Sequence, residues 1–245
     1  MKDINTILHP ENGMREKFRN ELKYVCTEAQ LQIIAARLEH LCRRDSHVGE
    51  QGIYCIRSIY FDDYRNSCLK ENENGNDPRE KFRIRIYNAD DSKITLECKK
   101  KERTMTHKDS CRLTRAQYDQ IVAGSYMPTS EDHPLLRRFA MKLHTHLLRP
   151  KVIVAYERTP FVYAPGNVRI TFDRNIGSTT NIAGFFDEKL PLRPIMNKGE
   201  HVLEVKYDEF LPEYLYGALN LANLRQTAFS KYALCRKYTI GGEKK

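Results

Sequence analysis

No stretch of the 245-residue chain approaches the roughly 18–20 consecutive apolar residues that a membrane-spanning helix needs. The opening segment, Met1 to Lys17, mixes charges and lacks an apolar h-region, so no secretory signal is expected. The cysteines (Cys26, Cys42, Cys55, Cys68, Cys98, Cys111 and Cys235) are odd in number, widely spaced and include no CxxC pair. That disfavours a zinc site or a disulfide framework, and reduced thiols in a cytoplasmic protein are the expectation. There is no GxxxxGKS or GxxxxGKT, no GxGxxG, no HExxH and no GxSxG. The common nucleotide-loop, zinc-protease and serine-hydrolase chemistries are therefore without their motifs. Internal repeats and low-complexity linkers are also missing.

What is present is charge. Lys and Arg number 41 against 32 Asp and Glu, a formal +9 with a pI near 9.1. The 40% hydrophobic content is enough for a real core, and the length fits one domain over residues 1–245. An excess of this sign points to an anionic partner: nucleic acid, a phosphate-rich small molecule or an acidic membrane surface.

Four helical segments are expected. Thr27-Glu28-Ala29-Gln30 is a capping box before Leu31, Ile34, Leu38 and Leu41, and Thr114 to Gln117 repeats it before Tyr118, Ile121 and Val122, closed by Gly124. Leu135, Leu136, Phe139, Leu143 and Leu147 stripe a third helix, and the tail from Pro212 is helical, with a second piece near Phe229 to Cys235. Lys70 to Glu80 reads as a loop, and Gly177 to Glu200 as an irregular stretch.

The remaining segments alternate with period two, as strands do. Lys81, Arg83 and Arg85 share one face and Phe82, Ile84 and Ile86 the other. The polar faces elsewhere hold Glu21 and Lys23; Thr95, Glu97 and Lys99; Lys108, Ser110 and Arg112; Arg169, Thr171 and Asp173; and Glu204 and Lys206. A wetted sheet face gives the same alternation. Two features favour an interior instead: the charges are mostly cationic at i, i+2, and at least six segments show the pattern. The fold class expected is α+β, an antiparallel β tunnel barrel with flanking helices and a basic lining.

A linear polyanion suits such a lining, because Arg presents a planar fork and Lys a point charge to phosphate oxygens. Recognition of bases calls for aromatics among the cations. Phe82, Phe172 and Tyr207 fall on the opposite face, so no nucleic-acid partner is expected. The acidic residues of the polar faces, Glu21, Glu97, Asp173 and Glu204, serve either as ion-pair partners or as ligands of a divalent cation, Mg2+ or Mn2+. His144 and His146 lie two apart on a helix and form no ligand pair. Lys100, Lys101 and Arg103 stand at a strand end, where they steer anions or simply face solvent.

From Phe18 to Tyr238 the sequence resembles the VTC polyphosphate polymerase domain, within the triphosphate tunnel metalloenzymes of the CYTH-like superfamily. The segments that carry the likeness are FRNELKY (18–24), SIYFDD (58–63), KFRIRIY (81–87) and LECKKK (96–101), followed by RPKVIVAYERTPFV (149–162), VRITFD (168–173), LEVKY (203–207) and FSKY (229–232). The resemblance implies a tunnel in which basic side chains hold an NTP triphosphate and a growing polyphosphate. Lys23, Arg83, Arg85, Lys99, Lys108, Arg158, Arg169 and Lys231 resemble the phosphate ligands, and Glu204 the metal-binding glutamate. Ser230 is placed to donate to phosphate, Lys206 and Glu21 to assist substrate, and Glu97 and Asp173 to serve as secondary metal candidates.

The implied activity is metal-dependent transfer of the terminal phosphoryl group of ATP, or another NTP, onto polyphosphate or triphosphate. A tunnel-fold triphosphatase or NTP hydrolase and a non-catalytic polyphosphate-binding module are the alternatives. One departure stands out. The family motif has a lysine three positions before the FSK lysine, and here that position is Ala228. Arg225 and Lys206 are the nearby cations that could stand in. The SPX domain and membrane segments of eukaryotic versions are not in these 245 residues, so a stand-alone catalytic module is expected, with any membrane-protein partner open.

Overall fold

The computed structural model describes residues 19–45, 48, 52–102 and 105–242. Phe18, Arg103 and the Met1–Lys17 segment lie outside the described residues.

Ten strands form one antiparallel sheet. They are β1 (Asn20–Thr27), β2 (Arg43–Arg44), β3 (Tyr54–Asp62), β4 (Arg79–Tyr87), β5 (Asp90–Glu102), β6 (Met105–Leu113), β7 (Arg149–Tyr163), β8 (Val168–Thr179), β9 (Arg193–Pro194) and β10 (Glu200–Tyr207). The main path runs β1-β10-β8-β7-β3-β4-β5-β6, with β2 on β7 and β9 on β8. The two edge strands, β1 and β6, meet through one isolated bridge, Arg19 to Thr106, so the ladder curls toward closure without a full seam. This is the tunnel fold expected from the period-two pattern.

The helices are α1 (Glu28–Leu38), α2 (Ser67–Glu73), α3 (Arg115–Ala123), α4 (Pro134–Thr145), α5 (Glu213–Ala218) and α6 (Lys231–Gly242). Both capping boxes form, at Thr27–Gln30 and Thr114–Gln117. Gly124 ends α3 with φ 75°, a conformation that only glycine takes without steric cost. Two expectations need correction. The segment read as a loop from Lys70 holds the last turn of α2, whose first turn is tied down by Asp62 and Asp63 carboxylates accepting from the backbone of Ser67, Cys68 and Leu69. A cap supplied from outside the helix leaves no local signature. Leu147 is not part of the α4 stripe: it sits beyond the helix at φ 53° and is exposed.

Three apolar clusters follow from the sheet's two faces. On the outer face, α3 and α4 cover β3 to β6 through Tyr118, Ile121, Leu135 and Phe139 against Phe82, Ile84 and Leu96. Also outside, α1 and α5 cover β1, β8 and β10 through Leu31, Ile34 and Leu215 against Phe172 and Leu203. The third cluster is on the inner face, where Tyr54, Ile56, Tyr60, Val152, Val154 and Tyr156 meet Tyr232, Ala233 and Cys235 of α6. The interior is thus half apolar, plugged by α6, and half charged. Arg57 points outward and donates to the carbonyls of Phe185, Asp187 and Glu188, which pins the irregular stretch to the sheet.

Candidate functional site

Cross-strand register decides which side chains share the interior. Arg83 pairs with Glu97 and Tyr60, Arg85 with Ser58, Lys23 with Glu204, Glu21 and Arg169 with Lys206, and Arg158 with Asp173 and Tyr54. Directly opposed residues project to the same face. Because the strands keep their period-two phase, this register gathers cations from β1, β4, β5, β6, β7, β8 and β10, and α6 adds Lys231.

The cations group around buried carboxylates. Arg158 makes a fork on Asp173 (2.7 and 2.8 Å) and reaches Glu204 at 3.3 Å. Lys231 Nζ lies 2.6 Å from Asp173. Glu97 takes Arg83 at 2.6 Å and Lys108 at 2.8 Å, with Arg85 at 3.7 Å. Glu21 takes Lys99 at 2.6 Å and Lys23 at 3.2 Å, and Lys206 lies 2.8 Å from Glu204. Arg169 binds Asp45 at 2.7 Å and the Tyr54 hydroxyl at 3.2 Å. Ser230 precedes α6, where its Oγ accepts from Ala233 N and from Lys81 Nζ. Exposure falls from the mouth inward: the side chain of Lys108 is 50% exposed, that of Lys231 10%.

Burial raises the pKa of Glu97, Asp173 and Glu204, but their cationic neighbours overcome it. Arg83, Arg85 and Lys108 hold Glu97 far below the usual carboxylate range, and Arg158 and Lys231 lower Asp173. Lys206, with Lys23 and Lys231, holds Glu204 well below its ordinary value. Burial pushes the Lys99 amine down to about 8 despite Glu21. A carboxylate whose native pKa lies below its unfolded value stabilises the fold above about pH 4 and loses that contribution as the pH falls toward the native value. The urea midpoint is therefore expected to drop between pH 5 and pH 3, and Glu97→Gln to shrink that drop. An identical acid profile in the variant would exclude Glu97 as a source.

The structure brings together Lys23, Arg83, Arg85, Lys99, Lys108, Arg158, Lys206 and Lys231 with Glu21, Glu97, Asp173 and Glu204. Arg169 stands beside Lys206 but turns to Asp45. Ala228 and Arg225 are exposed.

One sequence expectation is corrected. The outer face holds Phe82, Phe172 and Tyr207 as expected, but the basic face also carries Tyr54, Tyr60, Tyr156 and Tyr232. They are buried, between 1% and 8% exposed, and serve the cations rather than offering free ring faces. Tyr60 accepts from Arg83 at 3.0 Å, and the Tyr156 ring lies 4.8 Å from Lys231 Nζ and 5.2 Å from the Arg158 guanidinium carbon. Sequence reading missed these tyrosines because β3 and β7 show no charge alternation to fix their phase. It also left Lys81 outside the site, although that residue has the parity of Arg83.

Of the interior carboxylates, Glu204 and Glu21 are the pair on neighbouring strands that could hold a divalent cation together. The two carboxyl groups stand on neighbouring strands, Lys206 lies 2.8 Å from Glu204 and 3.6 Å from Glu21, and both offer hard oxygen donors. Among the described residues no three His, Cys, Asp or Glu are grouped to hold a metal unaided, so phosphate oxygens and water would complete the shell. All four carboxylates are engaged by cations, Glu97 by Arg83 and Lys108, Asp173 by Arg158 and Lys231, Glu204 by Lys206 and Arg158, and Glu21 by Lys99 and Lys23, so a metal at Glu204 and Glu21 would displace lysine.

No helix among the described residues is long and apolar enough to cross a membrane. No curated protein matches the chain. Among solved structures, a candidate adenylate cyclase of Bacillus halodurans is 14% identical with a TM-score of 0.52, covering 87% of this chain and 94% of its own. A Pyrococcus horikoshii protein is 12% identical at a TM-score of 0.46, covering 91% of this chain and 98% of its own. The Mimivirus capping enzyme triphosphatase is 12% identical at 0.36, covering 86% and 88%. At these identities the first likeness is one of fold. The VTC domain model matches residues 18–240, nearly the whole described chain. With that match over strands that also carry the basic interior, the chain belongs to the VTC domain family.

Proposed function

We propose that the protein transfers the terminal phosphoryl group of ATP, or another NTP, onto a polyphosphate chain held in the basic interior, releasing the nucleoside diphosphate. The observation that carries this reading is the convergence, among the described residues, of nine Lys and Arg side chains from the sheet and Lys231 of α6 around five ion-pairing carboxylates, Glu21, Asp45, Glu97, Asp173 and Glu204. An anion bound there would offset that surplus. Membership of the VTC domain family supports a ligand made of phosphate, as do the interior tyrosines Tyr54, Tyr60, Tyr156 and Tyr232, whose buried rings offer bases no stacking platform.

Phosphoryl transfer asks the protein for position and charge neutralisation more than for covalent chemistry. Arg83, Arg85 and Arg158 are anchored by carboxylates and a tyrosine hydroxyl, so their forks are fixed before substrate arrives. Lys231 is held between Asp173 and the Tyr156 ring at the α6 end, where the developing charge between donor and acceptor would be neutralised. No general base is required, because a phosphate acceptor is already ionised near pH 7. Mg2+ or Mn2+, bound through Glu204 and Glu21, would supply further neutralisation of the phosphate oxygens.

The test is product analysis after incubation with ATP and Mn2+. Polyphosphate accumulating with an equal amount of ADP is the expected result. Inorganic phosphate without polymer would replace transfer by hydrolysis, and no turnover with retained polyphosphate binding would leave a binding module.

A further inference from the structure

Lys81, Lys99 and Lys108 stand directly opposite one another on adjacent strands: Lys81 pairs with Lys99, and Lys99 with Lys108. Like charges in register repel, and a sheet normally avoids them. Two of the three are compensated, Lys99 by Glu21 at 2.6 Å and Lys108 by Glu97 at 2.8 Å. Lys81 is not. Its ammonium donates to Asn72 Oδ1 and, at 3.4 Å, to Ser230 Oγ, and it lies 5.7 Å from the Tyr232 ring centroid. All of these are neutral. The nine other interior cations each have a carboxylate oxygen within 3.7 Å.

A half-buried ammonium with neutral partners only is costly, and the cost falls when an anion arrives. Burial, with Arg79, Lys23 and Arg83 nearby, pushes the amine down to about 8. Asn72 on α2 and Ser230 before α6 hold it from either side, so it is fixed in place rather than free to leave for solvent. The row differs in kind from the deeper cluster. Arginine forks fix a phosphate in one orientation, whereas lysines are point charges that tolerate a chain sliding past them.

We propose that Lys81 binds a phosphate group of the polymer, completing with Lys99 and Lys108 a row that grips the polyphosphate chain next to Arg83, on the more exposed side of the Arg158–Lys231 cluster. The proposal rests on the polyphosphate reading above and assigns the chain, not the nucleotide, to this row. A purely structural Lys81, tying α2 to α6, is the competing role, and it makes the opposite forecast for stability.

The experiment titrates long-chain inorganic polyphosphate and inorganic triphosphate, without nucleotide, into wild type, Lys81→Met and Lys81→Arg, with melting temperatures recorded for each. Lys81→Met is expected to weaken long-chain binding by about tenfold, the order for a lost charge-assisted hydrogen bond. Triphosphate affinity should change by less than about twofold, because the deep cluster is intact. Lys81→Arg should recover most of the loss, and the melting temperature of Lys81→Met without ligand should not fall. Lys81→Gln serves if the methionine variant fails to fold. Unchanged long-chain affinity, or a fall in melting temperature as the only effect, would overturn the proposal. An equal loss for both ligands would overturn the assignment to the chain. A wild type that binds polyphosphate yet makes no polymer would fail the transferase reading alone, leaving the Lys81 comparison readable; a wild type that binds no polyphosphate would overturn both.

Discussion

Glu204→Gln is expected to lower phosphoryl transfer by about 10²–10³-fold, the order seen when one transition-state-stabilising group is lost, while inorganic triphosphate still binds. Glu204 is 4% exposed and lies between Lys206 at 2.8 Å and Arg158 at 3.3 Å. Glutamine keeps the shape, and the two cations keep other carboxylates, Arg158 on Asp173 and Lys206 3.6 Å from Glu21, so the fold should persist. It removes a negative charge from a basic interior, which favours anion binding or leaves it unchanged. It also removes one of the two carboxylates in the pair that could hold a divalent cation. Turnover and triphosphate affinity, measured on the same preparation, should therefore separate. Unchanged turnover would remove Glu204 from the metal role, and loss of triphosphate binding along with turnover would make it a structural residue.

Asp173→Asn should produce the largest loss of stability of any single interior change. Asp173 is fully buried and neutralises two cations, Arg158 through a two-point fork and Lys231 at 2.6 Å. Removing one partner of a buried ion pair costs about 3–5 kcal/mol because the remaining charge has nowhere to go. For a domain of this size that is roughly a 10 °C fall in melting temperature. The variant leaves two cations facing the interior, so inorganic triphosphate should restore more stability to it than it adds to wild type. Scanning calorimetry with and without triphosphate reads both effects. A melting temperature equal to wild type would show that Asp173 is not holding Arg158 and Lys231 in place.

Much of this was legible in the sequence, and the reason is phase. In β4, β5, β8 and β10 the charges alternate with apolar residues, so one strand fixes its own inner face and the register carries it to the next. Arg83, Glu97, Asp173 and Glu204 were found that way. In β3 and β7 both faces are buried, by outer helices on one side and α6 on the other, so alternation vanishes. Tyr54, Tyr60 and Tyr156 were invisible for that reason. The plug formed by α6 was hidden too, because Tyr232 and Cys235 read as an ordinary apolar helix face. Lys81 shares its parity with Arg83, but no strand-local pattern could show that, among the described residues, the other inner cations have a carboxylate and this one does not. Helix α2 was lost because its cap comes from Asp62 and Asp63, before the helix and on the end of a strand.

The charge surplus of +9 therefore has an address: a large part of it lines one interior face, not a general basic exterior. The measurement that tests this most directly is a crystal structure of the protein with inorganic triphosphate bound. Phosphate oxygens are expected within hydrogen-bonding distance of Arg83, Arg85, Arg158 and Lys231, on the inner face of the sheet. Triphosphate seated only on the outer surface, with the interior ion pairs undisturbed, would contradict this.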